Sequence, residues 1–513
     1  MRKVLVFIGL GCFWGVVACG GETCPDPNDV DAGHVDGAID GARDGTADGA
    51  LLDGQVDGAA DGGDGGWAET DETWAGVFGP AEVDYDDMPA DLGATFIRRI
   101  VLWRNVEPQE DQYLWEGADI AAMDRFAAAG GKIVPTIKTT GGKWEFWAVE
   151  SPLDATQIAE VAHDCSWMPK DMQTEFDWHY GYSETYYDFI SQVLWRYRGS
   201  LDVIVIENEE NGDGFWCSTG EYDHDMAGMA GYVKMLVTAK KAIQDVAPEV
   251  KLANGGLVGL QNTITHAYLE NGQDAEAVAF WEGCMDNAQG GAGSHTADDL
   301  RNYLQQPHPA ARLLRTAYLL EHLPSVVDYL NIHYKEVADY YPEVVAFVKA
   351  QTGGAVPVMN NELGVKWKPT DPFEARYQEA AKVTVKYFVY SYLHNARPMI
   401  WYTRDHGEYS AVGIYDEQGI HEEWETYAAL QACYRFLNRT FLQVQDVSDE
   451  DFRRYVFLAP DERIEVIWQK PASPSSLEIP AGVEAYDYLG QPISGDTLTT
   501  FPAYFVADSG NAP

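Results

Sequence analysis

Between Asp71 and Asn438, short apolar runs alternate eight times with longer segments whose apolar residues recur at helical spacing. The runs are Trp74 to Phe78, Thr95 to Leu102, Lys132 to Ile137, Val203 to Glu207, Lys251 to Asn254, Tyr329 to His333, Val356 to Asn360 and Met399 to Tyr402. Between them lie helical patterns such as Ala118 to Ala129, Tyr186 to Tyr197, Gly231 to Val246 and Phe373 to His394. A strand that pairs in parallel with the next needs a crossover, and a helix supplies it, so this alternation calls for an α/β chain with a parallel sheet. Eight such units fit a closed (β/α)8 TIM barrel over residues 71–438, with its site at the carboxyl ends of the strands. A doubly wound open sheet shares the alternation, but no Gly-rich phosphate loop follows the first run.

After Asn438 the pattern changes to strict alternation, as in Arg454 to Leu458 and Arg463 to Trp468, with a last run from Thr497 to Val506. Residues 439–513 are therefore expected to form a small antiparallel β-sandwich packed on the barrel.

The amino-terminal part carries no core. Met1-Arg2-Lys3 followed by apolar Val4 to Val17 has the form of an export signal, too short for a stable span. Val16-Val17-Ala18-Cys19 resembles a bacterial lipobox, which makes residues 1–19 a lipoprotein signal and Cys19 the lipidated first residue of the mature chain. From residue 20 to 70 Asp-Gly pairs recur, for example Asp36-Gly37, Asp40-Gly41, Asp44-Gly45 and Asp48-Gly49. This composition is expected to give a disordered, self-repelling tether. It lacks the alternating oxygen ligands and closing Glu of a calcium loop.

The formal charge of −46 argues against nucleic acid as a partner. Membrane contact is expected only through the lipid anchor, on an exported lipoprotein at the outer membrane or cell surface. Past the lipobox, Cys24, Cys165, Cys217, Cys284 and Cys433 are odd in number, and a Cys165–Cys217 bridge suits an exported protein. No Cys-x-x-Cys or His-x-x-x-His spacing points to a metal, and no cofactor is expected.

Two carboxylates stand where two of the apolar runs end: Glu209 in Val-Ile-Val-Ile-Glu-Asn-Glu-Glu-Asn and Glu362 in Val-Pro-Val-Met-Asn-Asn-Glu-Leu-Gly. Four consecutive aliphatic residues, Val203 to Ile206, describe a strand buried on both faces whose polar burst begins at the barrel mouth. On the fourth and seventh strands the two carboxyls face one another. One is then placed to protonate a departing sugar oxygen and the other to attack the anomeric carbon, with retention if they stand about 5.5 Å apart. Arg98, at the end of the second strand, is expected to hold Glu362 ionised. Glu207, Glu210 and Asp213 are expected to crowd Glu209 with negative charge and raise its proton affinity. His333 and Tyr334 end the sixth strand, where they are candidates to bind sugar hydroxyls or the nucleophile. Trp401 closes the eighth strand, and Trp144, Trp147, Trp167, Trp178 and Trp216 lie in or beside the loops after the third and fourth. Aromatic faces suit pyranose rings, and of these Trp401, Trp144 and Trp216 are the chosen candidates for sugar contact.

In these residues the chain resembles the clan of retaining glycoside hydrolases with catalytic glutamates on strands four and seven, within it most closely glycoside hydrolase family 39. Asn208-Glu209-Glu210-Asn211 with Phe215-Trp216 is similar to that family's Asn-Glu-Pro-Asn and Phe-Trp pattern. Tyr232-Val233-Lys234 through Ala239 to Ile243, Pro248 and Lys251 to Gly256 resemble its next helix and strand. Arg98, Trp103 and Val106-Glu107-Pro108 resemble the pattern after the second strand. The resemblance implies Glu209 as acid/base, Glu362 as nucleophile, Asn208 as partner of the sugar 2-hydroxyl and Trp401 as platform. Glu207 and Glu210 depart from it, standing for an aromatic residue and a proline, and Tyr334 comes one residue early. The implied function is a retaining β-glycosidase acting on an oligo- or polysaccharide; a non-catalytic glycan-binding barrel and a transglycosylase share the same residues.

Overall fold

The computed structural model describes residues 68–69, 78–81, 94–139, 146–149, 166–212, 216, 226–285, 295–364, 373–402, 413–416, 419–423, 425–470 and 476–508. Cys19, the Asp-Gly repeats, Trp144, Cys165, Asp213 and Cys217 lie outside the described residues.

A two-residue strand, Ala68–Glu69 (β1), precedes eight parallel ones: Phe78–Ala81 (β2), Phe96–Leu102 (β3), Lys132–Lys138 (β4), Val203–Ile206 (β5), Lys251–Asn254 (β6), Leu330–Tyr334 (β7), Val358–Leu363 (β8) and Ala396–Tyr402 (β9). Each of β2 to β9 neighbours the next in the chain, except across the β6–β7 seam, and β2 also pairs with β9. At the seam two parallel bridges, Ala253 to Tyr329 and Leu257 to Ile332, join the strands, so the sheet closes on itself as a barrel. Helices follow the strands as the alternation demanded, among them Ala118–Ala128, Glu184–Tyr197, Met226–Val246, Tyr341–Gln351 and Phe373–Leu393. No helix among the described residues is long and apolar enough to cross a membrane.

Alternation along the strands divides their side chains. Phe96, Val134, Val203, Val205, Ala253, Tyr329 and Met359 form a separate cluster within the ring. Ile97, Ile133, Ile204, Leu252, Leu330 and Val358 point the other way and merge with the helices in the main core. That accounts for the unbroken burial of Val203–Ile206 and Val358–Leu363.

The first barrel strand is described from Phe78 to Ala81; of the run read as Trp74 to Phe78, residues 74–77 lie outside the described residues. Gly79-Pro80 reads as a turn in sequence. Here Pro80 sits in a strand that pairs with β9 over its whole length but with β3 only at Ala81 opposite Arg98. A strand this sparsely bonded on one side tolerates the missing N–H.

The carboxy-terminal part packs on the barrel as expected, but as one six-stranded sheet with a two-stranded ribbon rather than as a sandwich of two sheets. After the helix Glu425–Leu437 come Gln443–Asp446 (β12), Phe452–Leu458 (β13), Glu462–Gln469 (β14), Leu477–Glu478 (β15), Glu484–Asp487 (β16), Thr497–Leu498 (β17) and Ala503–Asp508 (β18); a hairpin of Gly413–Asp416 (β10) and Gly419–Glu423 (β11) precedes them. Six strands form one antiparallel sheet in the order β1, β12, β13, β14, β18, β16. Ala68–Glu69, inside the stretch read as tether, thus pair with Gln443 and Val444. One face packs on barrel helices: Tyr390 meets Tyr455 and Trp468 edge-on, with centroids 6.0 and 5.6 Å apart, and Phe436 stacks on Tyr504 at 4.5 Å. The other face carries Phe452, Ile467, Ala485, Ala503 and Phe505, packed with Leu477 and Leu498 of the two-stranded β15–β17 ribbon. So short a segment lacks the apolar area for a core of its own and shares that of the barrel helices.

Candidate active site

Beyond Ile206 the chain turns sharply. Glu207 and Glu209 have φ of 66° and 48°, a left-handed conformation that is uncommon for residues with a side chain and costs on the order of 1 kcal/mol each. The turn sorts the polar burst. Glu207 is fully buried and accepts hydrogen bonds from the Thr139 N–H at 2.7 Å and its hydroxyl at 2.9 Å. Glu210, also fully buried, accepts from Asn254 Nδ2 at 2.9 Å. Asn211 donates to the Val258 carbonyl and to Thr316. Asn208 and Glu209 are left to meet residues of other strands.

Arg98, fully buried on β3, uses its guanidinium as a clamp. It donates to Thr136 at 2.9 Å, to Asn208 Oδ1 at 2.7 Å and to Glu362 Oε2 at 3.0 Å, so three strand ends are fixed by one cation. His333 Nδ1 lies 3.0 Å from Glu209 Oε1 and 3.4 Å from Glu362 Oε2. Lys335 pairs with Glu362 Oε1, and its ammonium is 4.0 Å from Glu209 Oε1. The nearest oxygens of the two glutamates and the His333 nitrogen all lie within 4.8 Å of one another.

The proton arrangement on His333 follows from its neighbours. The Asn361 N–H donates to Asn331 Oδ1 at 3.1 Å, so the other amide atom of Asn331 is its nitrogen, which donates to Asn361 Oδ1 at 2.7 Å. Asn361 Oδ1 is therefore an acceptor, and His333 Nε2, 2.7 Å from it, carries a hydrogen. Nδ1 faces the carboxylates. A proton there lies on the Glu209–His333 axis, held by one group or the other.

The same asparagines bridge the barrel's weakest seam. Asn331 accepts from Asn254 Nδ2 through its carbonyl at 3.0 Å, and its N–H donates to Asn254 Oδ1 at 2.7 Å. Between β6 and β7, where regular pairing is sparse, side-chain amides complete the closure and orient His333. Asn360 Oδ1 accepts from the Glu362 N–H at 3.1 Å, which steadies the end of β8.

The electrostatics correct one expectation. Burial alone would push the Glu209 carboxyl up, but its hydrogen bond with His333 and the charge of Lys335 outweigh that and hold it below its ordinary value. The rise expected from crowding by Glu207, Glu210 and Asp213 is therefore not found. The first two turn away into their own hydrogen bonds, and Asp213 is outside the described residues. Burial instead raises Glu207 and pushes Glu210 up to about 8. For Glu362, burial is again the opposing effect, and Lys335, His333 and Arg98 together hold it far below the carboxylate range. The part expected of Arg98 is thus shared with a lysine that the sequence reading passed over.

Two further expectations fail. Tyr334 is on the outward face of β7, with its hydroxyl donating to the Val337 carbonyl at 2.9 Å and its ring 5.5 Å from that of Tyr341. Strand alternation puts His333 and Lys335 on one face and Tyr334 on the other. Trp216 is buried, donates to the Gly228 carbonyl at 3.1 Å and packs on Tyr232, so it is core. Trp167 is buried, while Trp178 is 81% exposed. Trp401 lies on β9; its side chain is outside the described residues. Trp103 is also structural: its Nε1 donates to Glu107 at 2.7 Å and it stacks on Phe189.

Among the described residues, Glu209, His333 and Glu362 are the cluster whose ligand atoms could gather round a metal ion. Arg98 and Lys335 already engage both oxygens of Glu362, so an ion would enter against two positive charges.

No family model and no curated protein matches the sequence. Among solved structures, the chain is similar to a family 39 glycoside hydrolase from the gut symbiont Bacteroides cellulosilyticus WH2, with a TM-score of 0.53 and 13% identity over 86% of this chain and 82% of that one. A glucosidase from Croceicoccus marinus matches with a TM-score of 0.49 and 11% identity over 84% of this chain and 95% of that one. A family 39 β-xylosidase from Caulobacter crescentus matches at 0.44 and 13%, over 82% and 83%. The first of these likenesses establishes the fold, in agreement with the resemblance read from the sequence.

Proposed function

We propose that this chain is a retaining glycoside hydrolase that cleaves β-glycosidic bonds of an oligo- or polysaccharide, tethered to the outer membrane or cell surface through a lipid on Cys19. The observation that carries the reading is the approach of Glu209 and Glu362, from the ends of β5 and β8, to within 4.8 Å. So close an approach supports direct attack by one carboxylate, for which the two groups stand about 5–5.5 Å apart, over the wider separation of about 6.5–9.5 Å that admits a water.

Glu362 is kept ionised by Arg98 and Lys335 and is the nucleophile. Arg98 engages Oε2, which leaves Oε1 to bond to the anomeric carbon. Glu209 gives its proton to the glycosidic oxygen as that bond breaks, and the leaving sugar departs as an alcohol. The glycosyl ester on Glu362 is then attacked by a water whose proton passes to Glu209, which restores both groups. His333 touches both carboxylates and steadies the proton that Glu209 must give and recover. Asn208, oriented by Arg98, is the partner for the 2-hydroxyl.

Proton NMR of the first product formed from an aryl β-glycoside tests this. The β-anomer is expected to appear first and to mutarotate later; initial release of the α-anomer would exclude the double displacement.

A further inference from the structure

Trp178 is the most exposed large apolar side chain among the described residues, yet the backbone that carries it is closely held. Asp177 to Gly181 form a tight hairpin. The Asp177 N–H donates to the Gly181 carbonyl at 2.7 Å, the Gly181 N–H returns to the Asp177 carbonyl at 2.8 Å, and Asp177 Oδ1 accepts from the His179 N–H at 2.6 Å. Gly181, with a φ of +80°, lies against the helix Met226–Val246, where a Cβ would stand 2.8 Å from the Thr238 Cα. The next N–H, of Tyr182, donates to the Thr238 hydroxyl at 2.9 Å, and Ser183 caps the helix Glu184–Tyr197.

The rings around the hairpin brace one another. Phe176 meets Trp178 edge-on with centroids 5.7 Å apart and Tyr182 at 5.5 Å, and the Lys234 ammonium lies 5.2 Å from the centre of the Tyr182 ring. Tyr180 packs on Tyr187 at 5.5 Å. Trp178 alone is given to solvent, 81% exposed, on a support that is in place before a ligand arrives.

Size and charge decide what such a platform can hold. An indole this exposed presents on the order of 200 Å², far short of the about 800 Å² that a stable protein partner covers on each side. It matches a sugar ring, which has apolar C–H groups on its faces and hydroxyls round its rim. Asp177, Glu184 and Asp188 all act on the Tyr180 hydroxyl, so acceptors for those hydroxyls stand beside the hairpin. The same carboxylates, with a formal charge of −46 on the chain, disfavour nucleic acid, an anionic membrane or an acidic polymer. We propose that the Asp177–Gly181 hairpin is a second carbohydrate-binding site, distinct from the Glu209–Glu362 pair, which holds a neutral β-linked polysaccharide by stacking one of its rings on Trp178. The class of ligand rests on the hydrolase reading; the stacking itself does not depend on turnover.

The test is affinity electrophoresis of the full mature chain carrying Glu362→Gln, in gels containing arabinoxylan, mixed-linkage β-glucan, glucomannan or anionic polygalacturonate. The same chain with Trp178→Ala or Trp178→Phe runs beside it. At least one neutral polysaccharide is expected to retard the chain, with the apparent Kd raised about tenfold or more in Trp178→Ala and less in Trp178→Phe. In a chain that keeps Glu362, Trp178→Ala is expected to leave the melting temperature and the turnover of aryl β-glycosides unchanged. An equal Kd in Trp178→Ala, or no retardation by any neutral polysaccharide, overturns the proposal. So does a native dimer in sedimentation that Trp178→Ala dissociates, because the platform then holds a second copy of the chain. If no glycoside is turned over while the Trp178-dependent retardation remains, the hydrolase reading fails and the binding site stands.

Discussion

Gly256 passes directly beneath His333: a Cβ on Gly256 would lie 2.1 Å from the ring Nε2, and the residue has a φ of +112° that disfavours any side chain. The loop after β6 therefore sets the height of the imidazole between the two carboxylates. Gly256→Ala is expected to displace the ring from Asn361 and Glu209 and to lower kcat by about 100-fold, since a shift near 1 Å at a reacting group has that scale of effect. Steady-state kinetics beside a circular dichroism melt checks this. Unchanged kcat would mean that His333 has no part in the reaction.

The pH dependence follows from the two depressed carboxyls. Glu362 must be ionised and stays so to well below the carboxylate range. Glu209 must be protonated for the first step, and in the free site it is held below its ordinary value by His333 and Lys335, against the effect of burial. The log of kcat/KM is therefore expected to decline as pH rises from the acid side, with a basic limb below about pH 4.5. Lys335→Met removes a cation from beside both groups, so both limbs move to higher pH. A basic limb that stays in place in this variant would show that Lys335 does not act on Glu209.

Glu210 governs stability rather than turnover. It is buried with its pKa raised to about 8, so the folded chain holds a proton that the unfolded chain releases near the ordinary 4.5. Between these values the unfolded state binds fewer protons, and stability falls as pH rises, reaching its lower plateau above about 8. Gln at this position has no charge to release. Glu210→Gln is expected to melt higher than the native protein at pH 8 and at nearly the same temperature at pH 4, as read by calorimetry. Equal melting at both pH values would mean that the buried acid has another source of compensation.

Much of this was legible in the sequence because strand-length apolar runs and helical periods are local signals. The order of strands and the glutamates at the ends of β5 and β8 followed from them. So did the Arg98–Glu362 pair, since the second and seventh strands bring their ends to one mouth. Lys335 was missed because the sixth run was ended at His333, although period two places residue 335 on the same face. Tyr334 was misplaced for the same reason. The roles of Asn254, Asn331 and Asn361 depend on a seam that no local pattern marks, and the three asparagines are far apart in sequence. The carboxy-terminal strands were read correctly as antiparallel and packed on the barrel, but which two helices cover them is something alternation cannot name.

The central claim is that Glu362 forms a covalent bond to the sugar. Its most direct measurement is the intact mass of the full mature chain after incubation with 2-deoxy-2-fluoro glycosyl fluorides, neutral and uronic, followed by peptide mapping. The expected result is a stable mass increase of one fluoroglycosyl unit, located on Glu362, that does not form in Glu362→Gln. An adduct on another residue, or turnover of the parent glycosides with no adduct from any donor, would contradict the account.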